Sequence, residues 1–464
     1  MKPVPLSRIA QWTGGRLQGE DVLIDAIATD TRTLDASDGS AALFVALKGE
    51  RFDGHAHIGE AVDAGARAVL TMNVADCLVP QVIVADTENA LAAFAAAMQH
   101  TRHAKVIAIT GSNGKTSVKT LLLSILQQVA AQTGQIVHAN PGNRNNEIGL
   151  PLAVLDAPED ADFAIYEMGA GKPGDIAHLT TIARPHVAIV NNIAPAHLER
   201  MGTLLGVADT KAAIYDALPS GGVAVINADD AFAPYFAERA HGHRLIRFGL
   251  DATADVTARD IALHGEYTHF VLVSPEGEVE ITLGLAGRHN VLNALAAASL
   301  ALGAGVPLHA IRDGLIAARP IAGRLVTHRL HGGATLIDDS YNANPGSLNA
   351  AIDTLVAGGG DNWLVLGDMR ELGADALALH AEAGRRAKSA GITRLFALGP
   401  LSAAAAEAFG ADAQHFETHE ALADALLLGL HPDVRVLVKG SRGSAMDKVV
   451  QTLMAAVGEA TNAA

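Results

Sequence analysis

The stretch Lys105–Thr116 constrains this chain more than any other. Lys105-Val106-Ile107-Ala108-Ile109-Thr110 is apolar after its first residue, and Gly111-Ser112-Asn113-Gly114-Lys115-Thr116 follows at once. Leu121, Leu122, Ile125, Leu126 and Val129 then recur at helical spacing. Strand, glycine turn and helix in that order are what a phosphate-binding loop requires. Glycines let backbone N–H groups crowd around phosphate oxygens, and the helix N-terminus adds its positive end. Gly111, Ser112, Asn113, Gly114 and Ser117 would cradle a nucleotide, Lys115 would reach its terminal phosphates, and the Thr116 hydroxyl would ligate Mg²⁺. The spacing departs from the long form of the pattern, because Ile109 stands where its first glycine belongs. A bare Gly-Lys-Thr is as often an ordinary strand-to-helix turn, so the flanking strand and helix carry the reading.

At 464 residues the chain is too long for one core, and 49% hydrophobic content is enough for several. A net charge of −16 with no basic run argues against a nucleic-acid partner and for small molecules captured locally. One cysteine, Cys77, excludes an internal disulfide framework and fits a reducing cytoplasm. Thr120 to Asn143 and His289 to Ile311 lack Asp, Glu, Lys and Arg, but Asn, Gln, His, Gly or Pro interrupt both. Neither reads as a membrane span, and nothing at Met1–Pro5 resembles a signal sequence.

Three α/β blocks follow from the patterning. Residues 1–85 form a small N-terminal module with a helix at Leu6–Trp12 and a strand at Asp21–Ala28. Residues 86–317 carry the phosphate loop on a parallel sheet, with a small antiparallel meander at about 253–285 where the pattern turns to period two. Residues 318–464 alternate strands at 335–338, 363–366, 394–398 and 435–438 with helices, as a doubly wound, mostly parallel sheet does. Ala318-Arg319-Pro320 is the expected hinge.

Four groups beyond the loop bear on what the nucleotide is for. Glu167 ends the apolar strand Phe163–Tyr166, where open parallel sheets bind ligands, and could complete a Mg²⁺ site; a solvated strand cap is equally common. His197 follows the strand Val187–Val190 and could be a ligand or a surface histidine. Lys211 lies within a helical pattern and by pattern alone is a solvated lysine. Asn143–Gly149, containing Asn146, reads equally as a turn or a substrate loop. Thr31 and Arg32, with Asp30, would suit a hydroxyl- and phosphate-bearing ligand. A nucleotide-driven ATPase that moves a partner is the competing class, but no arginine-finger context or basic track supports one.

Taken together the motifs resemble the Mur ligase family, ATP-dependent amide-forming enzymes that build the peptidoglycan stem peptide. The resemblance rests on Thr110–Thr116, Asn146-Glu147-Ile148-Gly149, Glu167-Met168-Gly169-Ala170, Asn191-Asn192-Ile193, Ala196-His197-Leu198-Glu199, Gly287–Ala294, Gly323-Arg324 and Asp339–Pro345. Within the family, Ser340–Pro345, Gly367–Gly373 and Val438–Arg442 point to the branch that adds D-alanyl-D-alanine to a UDP-N-acetylmuramoyl-tripeptide. The Asp-x-Pro tetrapeptide of the branch that adds the third residue does not occur. One departure is Asp38–Ala42, slightly longer than the turn usual before Leu43-Phe44.

The resemblance implies attack of the tripeptide carboxylate on ATP, an acyl phosphate, and capture by the dipeptide amine. It implies two Mg²⁺ ions, one held by Thr116 and Glu167, the other by His197 and a Lys211 carbamylated by CO₂. With Lys115 and Asn146 these form the expected catalytic set, and Asn290, Arg324, Asp339, Tyr341 and Asn342 the further nucleotide contacts. Thr31, Arg32, Lys48 and Asp53 would hold the UDP-substrate, and Asn344, Lys439 and Arg442 the dipeptide. The chain is expected to work as a cytoplasmic monomer, its last block closing over ATP.

Overall fold

The computed structural model describes residues 1–458 except 38, 50, 51, 196 and 197. Its first sheet has five strands in the order Arg16–Gln18, Gln81–Ile83, Ala68–Thr71, Ala42–Val45 and Ala26–Ala28, parallel except for the first pair. The helix Leu6–Thr13 forms as its spacing predicts, with Gly14 at φ 67° as its C-terminal stop. The strand expected over Asp21–Ala28 is instead two. Leu23–Ile24 pairs with Val4–Pro5, and Ala26–Ala28 pairs with Ala42–Phe44. Between them Asp25 turns its carboxylate to the Ala41 N–H (2.7 Å) and its carbonyl to the N-terminal ammonium (2.9 Å). A polar residue with two such partners ends one ladder and starts another.

The middle sheet is wholly parallel, in the order Arg244–Phe248, Val223–Asn227, Val187–Val190, Lys105–Thr110, Phe163–Glu167, Val137–Ala139. Lys105–Thr110 comes first in sequence but lies inside, with later strands running away on both sides. That is a topological switch point, and its carboxyl edge is where a parallel sheet opens to ligands. Alternation divides the strand between two cores. Val106 and Ala108 face helices Thr87–His100, Asp175–Ala183 and Leu204–Asp216, while Ile107 and Ile109 face Lys115–Thr133, Arg288–Ala304 and Leu308–Ala317. The period-two segment forms a three-stranded antiparallel sheet, Thr257–Leu263, Thr268–Ser274 and Gly277–Leu283, whose apolar face joins the second core.

The last sheet runs Val326–Arg329, Thr335–Asp339, Val434–Lys439, Asp361–Gly367, Arg394–Leu398, Ala413–Phe416, parallel except for the first pair. Helices cover both faces, over Ile337, Leu364, Leu366 and Leu437 on one side and Leu336, Trp363, Val365 and Val436 on the other. The edge strands Val326–Arg329 and Ala413–Phe416 are additions to the sequence reading; both are short, half-exposed and poor in apolar periodicity. Among the described residues no helix is long and apolar enough to cross a membrane.

Candidate active site

The buried strand Lys105–Thr110 ends on Thr110, whose hydroxyl donates to the Met168 carbonyl (3.0 Å). Gly111 and Gly114 then take φ 146° and 77°. A Cβ on Gly114 would stand 2.5 Å from Asn293 Oδ1 and 2.6 Å from Asn191 Nδ2, so the loop fits only with glycine there. Helix Lys115–Thr133 starts at Gly114 with no side-chain cap, leaving its first N–H groups to a ligand. Lys115 Nζ donates to the Gly111 carbonyl (2.8 Å). Burial pushes its pKa down, with Arg324 acting the same way and Glu167 opposing.

Glu167 is 3% exposed. Asn145 Nδ2 donates to its Oε1 (2.8 Å), Lys119 Nζ lies 3.4 Å from Oε2, and Oε2 has no hydrogen bond. Burial would raise its pKa, but the charges of Lys115 and Lys119 and the hydrogen bond from Asn145 hold it below the ordinary value. A buried, ionised carboxylate with an orphaned oxygen beside the Thr116 hydroxyl suits a hard cation.

Lys119 was not anticipated. It stands one helical turn beyond Lys115, and its ammonium is fixed by the carbonyls of Asn140 and Gly142 (3.0 Å each). Asn140 in turn clamps the Glu167 backbone, accepting from its N–H and donating to its C=O. Asn145 rather than Asn146 touches Glu167; the Asn146 side-chain Oδ1 accepts from Gly149 N–H (2.8 Å), although Asn146 also lines the cleft.

Lys211 is 2% exposed, on the buried face of helix Leu204–Asp216. It is not among the residues that line the cleft described below, and among the described residues its amine has no hydrogen-bond partner. Burial and the charge of Lys115 push its pKa well down, with Asp175 opposing. His197 lies outside the described residues, as does Asp38 of the longer N-terminal turn.

The last unit closes the cleft, a cavity of about 750 Å³ with Ser112–Ser117 on one wall and Gly323–Leu325, Asp339, Tyr341–Asn344 and Lys439 on the other. Arg324 Nη2 donates to the Thr116 hydroxyl (2.9 Å), and its guanidinium stacks 4.4 Å from the Tyr341 ring centroid. Asn290, expected as a nucleotide contact, lines the cleft and accepts from Asn293 Nδ2 (3.3 Å). Beside it His289 is half-buried and its pKa pushed down to about 4, first by desolvation and then by the charge of Lys439, so it is neutral at physiological pH.

Two sites proposed for the dipeptide differ from expectation. Lys439 is 3% exposed, and its ammonium is taken by the Asp339 carboxylate (2.5 Å) and the Asn342 carbonyl (2.9 Å). Asp339 and Lys439 are register partners on adjacent parallel strands, which forces the pairing. Arg442 is exposed, 3.5 Å from Asp447 and 5.9 Å from the Tyr341 ring, and is not among the cleft-lining residues. Lys439→Met would leave the Asp339 carboxylate buried without its partner, and should cost about 3–5 kcal/mol in denaturant unfolding. Asp339→Asn in the same chain should recover most of that loss.

Thr31, Arg32, Lys48 and Asp53 gather elsewhere, at the carboxyl ends of the adjacent parallel strands Ala26–Ala28 and Ala42–Val45. Lys48 and Asp53 form a backbone bridge, and Asp53 accepts from the His55 N–H (3.0 Å). Arg32 forks onto Asp30, whose pKa falls to about 2 through that hydrogen bond. None of the four lines the phosphate-loop cleft.

Known proteins share the fold and much of the sequence. Residues 24–110 match the Mur ligase family catalytic domain, 109–301 the Mur ligase middle domain, and 323–442 the Mur ligase glutamate ligase domain. The UDP-N-acetylmuramoyl-tripeptide–D-alanyl-D-alanine ligase of Escherichia coli K12 is 42% identical over 98% of this chain and 99% of its own length. The enzyme of the same name from Bacillus subtilis is 34% identical over 97% and 98%. Among solved structures, MurF from Acinetobacter baumannii superposes with a TM-score of 0.92 at 33% identity, covering 98% of this chain and 99% of that one. MurF ligase from Thermotoga maritima in complex with ADP gives 0.83 at 26% identity, covering 92% and 96%. A phosphate loop at the switch point, a buried carboxylate beside it and a third α/β unit across the cleft therefore accompany full-length similarity, and the chain belongs to the Mur ligase family.

Proposed function

We propose that this chain is the ATP-dependent, ADP-forming ligase that joins D-alanyl-D-alanine to UDP-N-acetylmuramoyl-tripeptide in peptidoglycan precursor synthesis. The observation that carries the reading is the single cleft walled by the phosphate loop and by Asp339–Asn344 of the last unit. It lets the nucleotide, the acid and the acceptor meet, and the full-length similarity to enzymes named for this reaction supports it.

In the first step a carboxylate oxygen of the tripeptide bonds to the γ-phosphorus of ATP, and the bond to the β-phosphate bridge oxygen breaks, releasing ADP. In the second the dipeptide amine bonds to the acyl carbon, phosphate leaves, and the amine loses a proton. Both steps concentrate negative charge, so cations held in place beforehand supply much of the acceleration. Lys115 is held for that role at the loop, and Arg324 reaches it from the last unit. Thr116 and the orphaned Glu167 oxygen would hold one Mg²⁺, and a carbamylated Lys211 with His197 a second. Mg²⁺ there would neutralise phosphate charge and orient the γ-phosphate. A buried amine with no acceptor among the described residues is a fitting place for carbamylation, which turns the cation into a carboxylate ligand. The first unit would hold the uridine diphosphate through Thr31, Arg32, Lys48 and Asp53. Every group in this reading comes from one chain, in keeping with a cytoplasmic monomer.

Phosphate release with the UDP-tripeptide should depend on D-alanyl-D-alanine and fall sharply with D-alanine or diaminopimelate as acceptor. Preference for diaminopimelate with the UDP-dipeptide would reject the reading. The amide of the dipeptide separates a further point, since Lys439 is already paired. If no other cation grips the dipeptide carboxylate, the amide should be used nearly as well as the acid.

A further inference from the structure

We propose that Asn113 and Asn344 form a positioning pair that registers the last unit against the phosphate loop, so that the acyl group meets the dipeptide amine rather than water. The proposal rests on the ligase reading above. Asn113 sits inside the loop, and its backbone is fully engaged by the end of the neighbouring strand. Its N–H donates to Asn192 Oδ1 (2.8 Å), and its carbonyl accepts from Asn191 Nδ2 (2.9 Å) and Asn192 Nδ2 (3.2 Å). That leaves the side chain free to face outward, where its Oδ1 accepts from Asn344 Nδ2 (2.6 Å), 231 residues away.

Asn344 is equally fixed. It is the N-cap of helix Pro345–Ala357, its Oδ1 accepting from the Ser347 N–H (2.9 Å) and its own N–H donating to Ser347 Oγ (3.1 Å). The Nδ2 group is then its one unused donor, and it is spent on Asn113. The approach is close: a Cβ on Gly346 would lie 3.3 Å from Asn113 Nδ2 and 3.5 Å from Ala194 Cβ. The helix cap is thus seated on the loop, and Asn344 is a positioning residue rather than a dipeptide contact.

The other side-chain hydrogen bond from the last unit to the loop, Arg324 to Thr116, uses the hydroxyl that Mg²⁺ would claim. The asparagine pair uses no atom that phosphate or metal needs, so it can persist when the cleft is filled. A short amide–amide bond between two independently braced partners sets distance and angle together. Loss of that register admits water to the acyl phosphate, which is then hydrolysed without product.

Asn344→Ser isolates the effect, because Ser caps a helix as well as Asn but lacks the amide that reaches Asn113. The assay measures phosphate released and dipeptide joined in the same reaction, with UDP-tripeptide, ATP and D-alanyl-D-alanine. In Asn344→Ser we expect phosphate released per dipeptide joined to rise from one to two or more, roughly. The KM for the dipeptide should rise about three- to tenfold, the scale of one lost hydrogen bond, with the KM for ATP changed less than about twofold. In Asn113→Ala the further change Asn344→Ser should have little added effect, since the bond is already gone. Asn344→Thr, which also caps but lacks the amide donor, should behave as Asn344→Ser does. Unchanged stoichiometry and dipeptide KM in both capping variants, or effects of Asn113→Ala and Asn344→Ser that simply add, would overturn the pairing. The parent's dipeptide-dependent turnover in the same assay tests the ligase reading separately.

Discussion

Lys115→Met should lower phosphate release about a thousandfold, the scale of removing one preorganised charge from a transition state that gathers phosphate oxygens. Methionine keeps most of the apolar stem of the side chain and deletes the ammonium. The fold should not suffer. Among the described residues its ammonium bonds only to the carbonyl of Gly111, and burial has depressed its pKa below 10.5. A lysine with a depressed folded-state pKa binds fewer protons folded than unfolded, so it lowers stability at neutral pH, and stability rises as pH climbs toward the unfolded value. Melting curves of Lys115→Met at neutral pH should therefore match or exceed the parent's. Near-normal phosphate release in this variant would reject the phosphate-loop assignment.

Lys211→Ala should be inactive to a similar degree, about a thousandfold, yet recover in part when small carboxylic acids such as acetate are supplied. The cavity left by the side chain has room for the carboxylate that a carbamate would otherwise present. Buried 2% exposed and without a hydrogen-bond acceptor among the described residues, the bare lysine is costly where it stands. A second arm uses the parent protein: stripping bicarbonate from the buffer should lower its activity, and adding it back should restore it. Full activity without bicarbonate, together with no rescue of Lys211→Ala, would show that the amine acts uncarbamylated.

Much of the site was legible because its chemistry is local. Gly111 to Thr116 declare a phosphate loop through glycine positions and the flanking strand and helix, and Glu167 ends its strand in full view. Lys119 and Asn293 were missed, yet each lies one helical turn from a residue already singled out, Lys115 and Asn290. Helical spacing of three or four could have found them. Lys439 and Asn344 raise a different point. Both carry groups suited to a ligand, and only their neighbours reveal that those groups are already in use. In the fold, the unexpected break at Asp25 and the edge strands Val326–Arg329 and Ala413–Phe416 share a cause. Short segments take their pairing from partners far along the chain, and local pattern cannot name the partner.

By itself the sequence determined the three α/β blocks, the phosphate loop, the antiparallel meander and the family, because each is written in residue spacing over a few turns or strands. Tertiary structure alone decided what each polar side chain is spent on. Register places Asp339 beside Lys439 and so removes that ammonium from the ligand. The switch point sets Asn191 and Asn192 against the loop and turns Asn113 outward to Asn344. Burial decides that Lys211 is an amine without a partner among the described residues. These outcomes depend on which groups are left unsatisfied once distant strands have met, and a hydrogen bond between residues 231 apart leaves no periodic trace in the chain.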